Sequence, residues 1–204
     1  MISIYQLKPR FQALLRPLCH WLAQRGVTAN QVTIAAVVLS GLGGAWIAYT
    51  PNSPWPLFAL PVILFIRMAL NAIDGMLARE FAMQSHLGAI LNEMGDVVAD
   101  ACLYLPLAFH PDVSIWGMFG FVLLGTMVEM MGVVAVQIGG DRRYDGPFGK
   151  SDRAFAMGLL ALLLGIGIPA GVWINGLLLL TIILSVITLV NRGRNALSQL
   201  EPTS

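Results

Sequence analysis

The sequence predicts an all-α integral membrane protein, with six transmembrane helices preceded by an N-terminal amphipathic interfacial helix, in a single membrane domain over 1–204. Three observations predict it. The chain is 57% hydrophobic and 11% charged with a mean hydropathy of +0.74, whereas a soluble domain carries about a quarter charged residues. Its apolar residues collect into stretches of roughly the 20 residues that a bilayer requires. Its Lys and Arg residues fall on one side of that series of stretches.

The first element is the interfacial helix, over 2–26. Phe11, Leu14, Leu15, Leu18, Trp21 and Leu22 recur at helical spacing while Arg10, Arg16 and Arg25 lie elsewhere, the pattern of a helix on a membrane surface or of one packed on the protein's cytoplasmic side. Lys8, Pro9, Arg16 and Pro17 interrupt the segment too often for a signal peptide. Spans follow at about 32–49, 56–79, 88–109 and 115–138. The long run from Ala154 to Val190 breaks at Ile168-Pro169-Ala170-Gly171, giving two more at 154–169 and 172–190. The second and third spans are polar at their facing ends, where hydropathy alone underestimates them.

Charge placement tests that count. With six spans, Arg25, Arg79, Arg142, Arg143, Lys150, Arg153, Arg192 and Arg194 share one side with the N-terminus, and the loops opposite carry only Asp112. Basic residues in short loops stay cytoplasmic, so both termini are expected in the cytoplasm, at a bacterial inner (cytoplasmic) membrane. Cys19 and Cys102 match no zinc or redox spacing, and Cys102, in an apolar run, reads as a buried thiol.

One polar string stands out. Asn71, Asp74, Gly75, Ala78 and Arg79 end the second span, and Gly88, Asn92, Glu93, Asp96 and Asp100 run into the third. Steps of three and four residues stack side chains on one helix stripe, and ionisable groups at membrane depth mark function by default. Two such stripes, facing each other at the cytoplasmic end, offer oxygen ligands over glycine-lined space, which suits a hard cation and a phosphate. Gly75 and Gly88 admit a ligand close to the backbone, or a neighbouring helix. Arg79 is suited to bidentate phosphate binding. Deeper in the bundle, Arg67 and Glu129 lie at similar depth and are expected to pair or to share a polar network, because an unpaired buried charge is costly.

This string resembles the signature of the CDP-alcohol phosphotransferase (CDP-alcohol phosphatidyltransferase) family, D-x2-D-G-x2-A-R-x8-G-x3-D-x3-D. Asp74, Gly75, Ala78, Arg79, Gly88 and Asp96 are identical at the family's spacing, while Asn71 and Asn92 replace its first and third aspartates, as in a variant subgroup. Val27-Thr28-Ala29-Asn30-Gln31-Val32-Thr33 resembles the family's P-N-x-L-T opening, and Gly149-Lys150-Ser151-Asp152-Arg153 its basic loop.

The resemblance implies a transferase of phospholipid biosynthesis that moves a phosphatidyl (phospho-alcohol) group from a CDP-lipid, such as CDP-diacylglycerol, to an acceptor alcohol and releases CMP. It implies Mg2+ or Mn2+ held by Asn71, Asp74, Asn92 and Asp96, with Asp96 as the catalytic base. It places the nucleotide and phosphates on Asn30, Thr33, Gly75, Ala78, Arg79 and Gly88. Lys150 and Arg153 are candidate acceptor ligands, and Glu93 and Asp100 candidate auxiliary acids for the charge removed by the two asparagines. Expected partners are the donor lipid, the acceptor, membrane lipid and a second copy in a homodimer, with no nucleic acid. The two asparagines keep a second reading open, a non-catalytic CDP-lipid-binding protein or partner subunit. A small transporter is disfavoured, because no internal repeat joins the halves.

Overall fold

The computed structural model describes residues 4–200 apart from Asp112 and Ala170, with side chains from Arg10 onward. The expected helix start at residue 2 and the lone opposite-side charge, Asp112, lie outside the described residues. Seven α-helices form, and no strand is present among the described residues: α1 Ile4–Gln24, α2 Ala29–Tyr49, α3 Pro54–Glu80, α4 His86–Tyr104, α5 Ile115–Gln137, α6 Lys150–Gly165 and α7 Val172–Leu200. Of these, α2, α3, α5 and α7 are long and apolar enough to cross a membrane. The 16-residue α6 falls short on length, and α4 carries Glu93, Asp96 and Asp100.

Local chemistry sets most of the helix starts. Thr28 caps α2 in a capping box with Gln31, Ser53 precedes Pro54 at the first position of α3, and Ser85 and Ser114 accept the Gly88 and Gly117 amides. Three boundaries depart furthest from expectation, one of them the end of α7, which runs ten residues past the expected 190. The third span was expected to continue to 109, but α4 ends at Tyr104 and Leu105–Phe109 forms a 3-10 turn, because Pro106 has no amide to continue the ladder. The segment Lys150–Arg153, expected in a loop, is the first turn of α6, closed by the Gly149 amide donating to Asp152 Oδ2 at 2.8 Å.

α2 packs on α3 and α4, α3 also on α6, and α5 on α7. The α2–α4 crossing is the tightest, since a Cβ on Gly44 would run into the Cys102 carbonyl. Cys102 corrects the sequence expectation. Its carbonyl faces α2 and its thiol is exposed, while Cys19 is the buried cysteine. The main core joins Leu60, Leu103, Tyr104, Phe121, Met157 and Leu160. A second core fixes α1 on α3: Cys19 lies against Met76, Phe11 meets Phe65 edge-on, and Arg16 binds Glu80 at 2.9 Å. Leu14, Leu18 and Trp21 remain exposed on the other face of α1.

Candidate functional site

Two cavities flank the polar string. The first, about 590 Å³, lies where α2, α3 and α4 come together and includes the loop between α3 and α4. Asn30, Thr33, Asp74, Gly75, Ala78, Arg79, Gly88 and Asn92 all line it. Six residues of the sequence frame thus close with α2 into one concave wall, while Asn71 and Asp96 lie outside it.

The capping motifs account for this geometry. Thr28 starts α2 so that Asn30 and Thr33 fall within its first turns, and Ser85 starts α4 with Gly88 in its first turn. Thr33 donates to Asp74 Oδ2 at 2.8 Å, which orients a carboxylate only 5% exposed. A Cβ on Gly75 would lie 3.0 Å from Arg79 Nη2, so glycine lets the guanidinium fold across the helix. A Cβ on Gly88 would lie 2.7 Å from Asn30 Oδ1. Arg79 is exposed and has no carboxylate within ion-pair distance among the described residues. Met83, Gln84, Ser85 and His86 complete the cavity rim. His86, which from its place between the motif halves reads as a solvated loop residue, opens α4 and lines this wall.

Asp96 stands beside this cavity in a different setting. Its Oδ1 accepts from Asn71 Nδ2 at 3.0 Å and meets Lys150 Nζ at 2.5 Å, with Arg67 Nη2 3.6 Å away. The second cavity, about 470 Å³, runs from this point between α3 and α6. Arg67, Asn71, Asp100, Lys150 and Ser151 form its polar end, and Leu64, Phe65, Met68, Phe155, Leu159 and Leu162 its apolar body. Phe65, Met68, Phe155, Leu159 and Leu162 are exposed, so the groove opens along the flanks of the two helices.

A charged cluster backs both cavities. Arg67 donates to Asp100 Oδ1 at 2.5 Å and to the Asp96 carbonyl at 3.0 Å. Arg153 bridges Asp100 Oδ2 at 3.2 Å and Glu129 Oε1 at 3.1 Å with its side chain 2% exposed. Arg192 donates to the Val128 carbonyl at 2.6 Å and the Asp145 carbonyl at 3.2 Å. Arg142 pairs with Glu93 and lies 3.5 Å from Glu129. Burial opposes the charge on Arg142, but the hydrogen bond and charge of Glu93 outweigh it and raise its pKa.

Arg67 and Glu129 therefore share a network but form no direct pair. α3 packs on α2 and α6 while α5 packs on α7, and Asp100 and Arg153 stand between the two residues. Arg153 is held inside the bundle, and of the two candidate acceptor ligands only Lys150 reaches the second cavity.

Sequence reasoning missed Arg142 and Arg192. A signal for Arg192 was present, since Thr181, Ser185, Thr188 and Arg192 form a polar stripe at steps of four, three and four, and all four are buried. Arg142 had no comparable local signal, because its role depends on a contact with α4.

The donor set that the resemblance implies, Asp74 and Asp96 with the amide oxygens of Asn71 and Asn92, would offer oxygen ligands only, as Mg2+ and Mn2+ prefer. Among the described residues no three His, Cys, Asp or Glu side chains converge as a metal cage. The fit is therefore to a cation that draws further ligands from a bound phosphate or water.

Comparison with known proteins gives the family and the fold. A family model described as CDP-alcohol phosphatidyltransferase matches residues 26–191. The chain is similar to the inner membrane protein YnbA of Escherichia coli (strain K12), 46% identical over 196 residues, which covers 96% of this chain and 97% of the relative. Its fold is similar to that of Mycobacterium tuberculosis phosphatidylinositol phosphate synthase PgsA1. The crystal structure of that protein with CDP-DAG bound aligns at a TM-score of 0.75 and 21% identity, over 92% of this chain and 96% of the other. The structure of the same protein in complex with manganese and citrate aligns at 0.75 and 20% identity, over 92% and 91%.

Proposed function

Because the chain belongs to the CDP-alcohol phosphatidyltransferase family, we propose that it transfers a phosphatidyl group from a CDP-lipid such as CDP-diacylglycerol to an acceptor hydroxyl and releases CMP. The observation that carries this reading is the first cavity. Every residue expected to hold the nucleotide lines it, and Asp96, one turn of α4 beyond Asn92, is held by Asn71 and Lys150, which line the second cavity.

Arg79 binds the pyrophosphate, Gly75 and Gly88 admit the nucleotide to the helix backbones, and Asn30 lines the same wall. The donor's acyl chains follow the groove between α3 and α6, whose polar end begins at Asn71. Asp96 takes the proton of the acceptor hydroxyl. The hydroxyl oxygen forms a bond to the lipid-bearing phosphorus, the bridging P–O bond breaks, and CMP leaves with the electron pair. Asn71 and Lys150 fix the Asp96 carboxylate, and Thr33 fixes Asp74. Asp74 and Asp96, with Asn71 and Asn92 beside them, would hold a Mg2+ or Mn2+ ion, which would supply charge neutralisation of the pyrophosphate.

In the membrane, α2 to α7 are the six spans and α1 lies at the interface with Leu14, Leu18 and Trp21 toward lipid. The first cavity, Arg79 and the basic residues of the α5–α6 connection then face the cytoplasm, as do both termini. Being similar to an inner membrane protein supports this placement.

The test is CMP release by the purified protein with CDP-diacylglycerol, Mg2+ or Mn2+ and a pool of alcohols, beside Asp96→Asn. Metal-dependent release lost in the variant supports the reading. CDP-lipid binding without release, with activity gained when Asn71 and Asn92 are both returned to Asp, would establish a binding protein instead.

A further inference from the structure

We infer that the acceptor is an alcohol carrying no phosphate of its own, and that Glu93 and Glu129 are the residues that select it. This rests on the transferase reading. A phosphorylated acceptor needs unmatched cationic donors near Asp96, because phosphate recognition depends on charge-assisted, often bidentate, hydrogen bonds. The structure supplies many cations there and matches nearly all of them.

Lys150 sits on Asp96. Arg67 is held by Asp100, and Arg153 is locked between Asp100 and Glu129. Arg142 is paired with Glu93 and Arg143 with Asp145. Arg192 is occupied by two backbone carbonyls, with Glu129 at 3.8 Å. Six cations thus meet five carboxylates: Glu93, Asp96, Asp100, Glu129 and Asp145.

The nitrogens left without a partner, Arg67 Nε, Arg142 Nε and Arg153 Nε and Nη1, are all buried, and those of Arg153 offer no landing place. Arg153 Nε lies 3.0 Å from where a Gly125 Cβ would stand. The donor cavity is built the opposite way, with Arg79 exposed and no carboxylate within ion-pair distance of it among the described residues. The protein therefore leaves the Arg79 guanidinium open at the proposed pyrophosphate site and closes those of the network behind Asp96.

Glu93 and Glu129 are the acids that do the closing, with side chains 33% and 12% exposed. A phosphate drawn to Arg142 would sit against Glu93, and like charges at that range exclude a ligand. Hydroxyl groups, by contrast, donate hydrogen bonds to the same carboxylates without breaking any ion pair.

The deciding experiment measures CMP release and the lipid product by mass spectrometry, using the full chain with CDP-diacylglycerol and Mg2+ or Mn2+. Glycerol is compared with glycerol 3-phosphate, and inositol with inositol phosphate. The expected result is a kcat/KM at least about tenfold higher for the unphosphorylated member of each pair that reacts. Glu93→Gln, on the more exposed of the two acids, then narrows that ratio by raising use of the phosphorylated member. Wild-type preference for a phosphorylated alcohol, or a Glu93→Gln variant that leaves the ratio unchanged, overturns the inference and leaves the transferase reading standing. A second readout needs no variant. In equilibrium binding to the CDP-loaded wild type, saturable uptake of glycerol 3-phosphate displaced by inorganic phosphate also overturns it. Absence of CMP release with every alcohol removes the transferase reading and the inference together.

Discussion

Asp96 receives an amide and an ammonium on the same oxygen, Asn71 Nδ2 and Lys150 Nζ. Removing its negative charge should stop the chemistry and weaken donor binding less, because Asp74, Arg79 and the wall of the first cavity remain. Asp96→Asn is expected to lower CMP release by about 10²–10⁴-fold, well beyond any loss of CDP-lipid affinity, as single-turnover and binding measurements on one preparation would establish. Behind it, Asp100 serves two arginines, at 2.5 Å from Arg67 and 3.2 Å from Arg153. Asp100→Leu leaves both under-neutralised and should cost about 3–5 kcal/mol of stability in detergent unfolding. Arg67→Met combined with Asp100→Leu should cost less than Asp100→Leu alone, and the reverse order would show that Arg67 is not the residue Asp100 neutralises. The cavity-lining residues of α3 and α4 were legible in the sequence because they lie at helical steps within two segments, and Asn30 and Thr33 of α2 through the resemblance of its opening. The partners of Arg67 and Glu129 were not, because those contacts depend on how α3, α4, α5 and α6 pack.

At the level of elements, side-chain caps did most of the positioning. The Thr28–Gln31 box and the Ser85 cap set where α2 and α4 begin, and so which of their residues reach the first cavity. The start of α6 was harder to read. Gly149 is a poor sequence signal, and the Asp152 bond to its amide appears only in three dimensions. The α2–α4 crossing depends on a missing side chain. Gly44→Val should force the two backbones apart, costing about 1–3 kcal/mol and lowering the detergent Tm. Gly41→Val is the control, since no atom lies within 4 Å of the position its Cβ would occupy. Equal losses in the two variants would mean that helix propensity, not close approach, explains the Gly44 effect.

For the whole molecule, the arrangement of charges was the most legible property and the interior network the least. Basic residues on alternate connections are enough to propose an orientation, and that orientation has a direct check. Green fluorescent protein fused after Leu200 should fluoresce, while alkaline phosphatase joined in the connection after Phe109 should be active. A dark C-terminal fusion with an active phosphatase at the same site would reverse the topology.

The groove between α3 and α6 has a consequence for how such an enzyme is supplied. Its apolar body is open along the helix flanks, while the nucleotide cavity opens among the helix ends. Under the proposed function CMP would therefore depart into water without the lipid product leaving the bilayer. Ordinary phospholipids can enter the same groove from the side, so the surrounding membrane is a standing competitor for the donor's place. On this reading the enzyme's speed follows the mole fraction of donor in the bilayer rather than its concentration in the tube. Diluting CDP-diacylglycerol with inert phospholipid at constant bulk concentration should then slow the reaction.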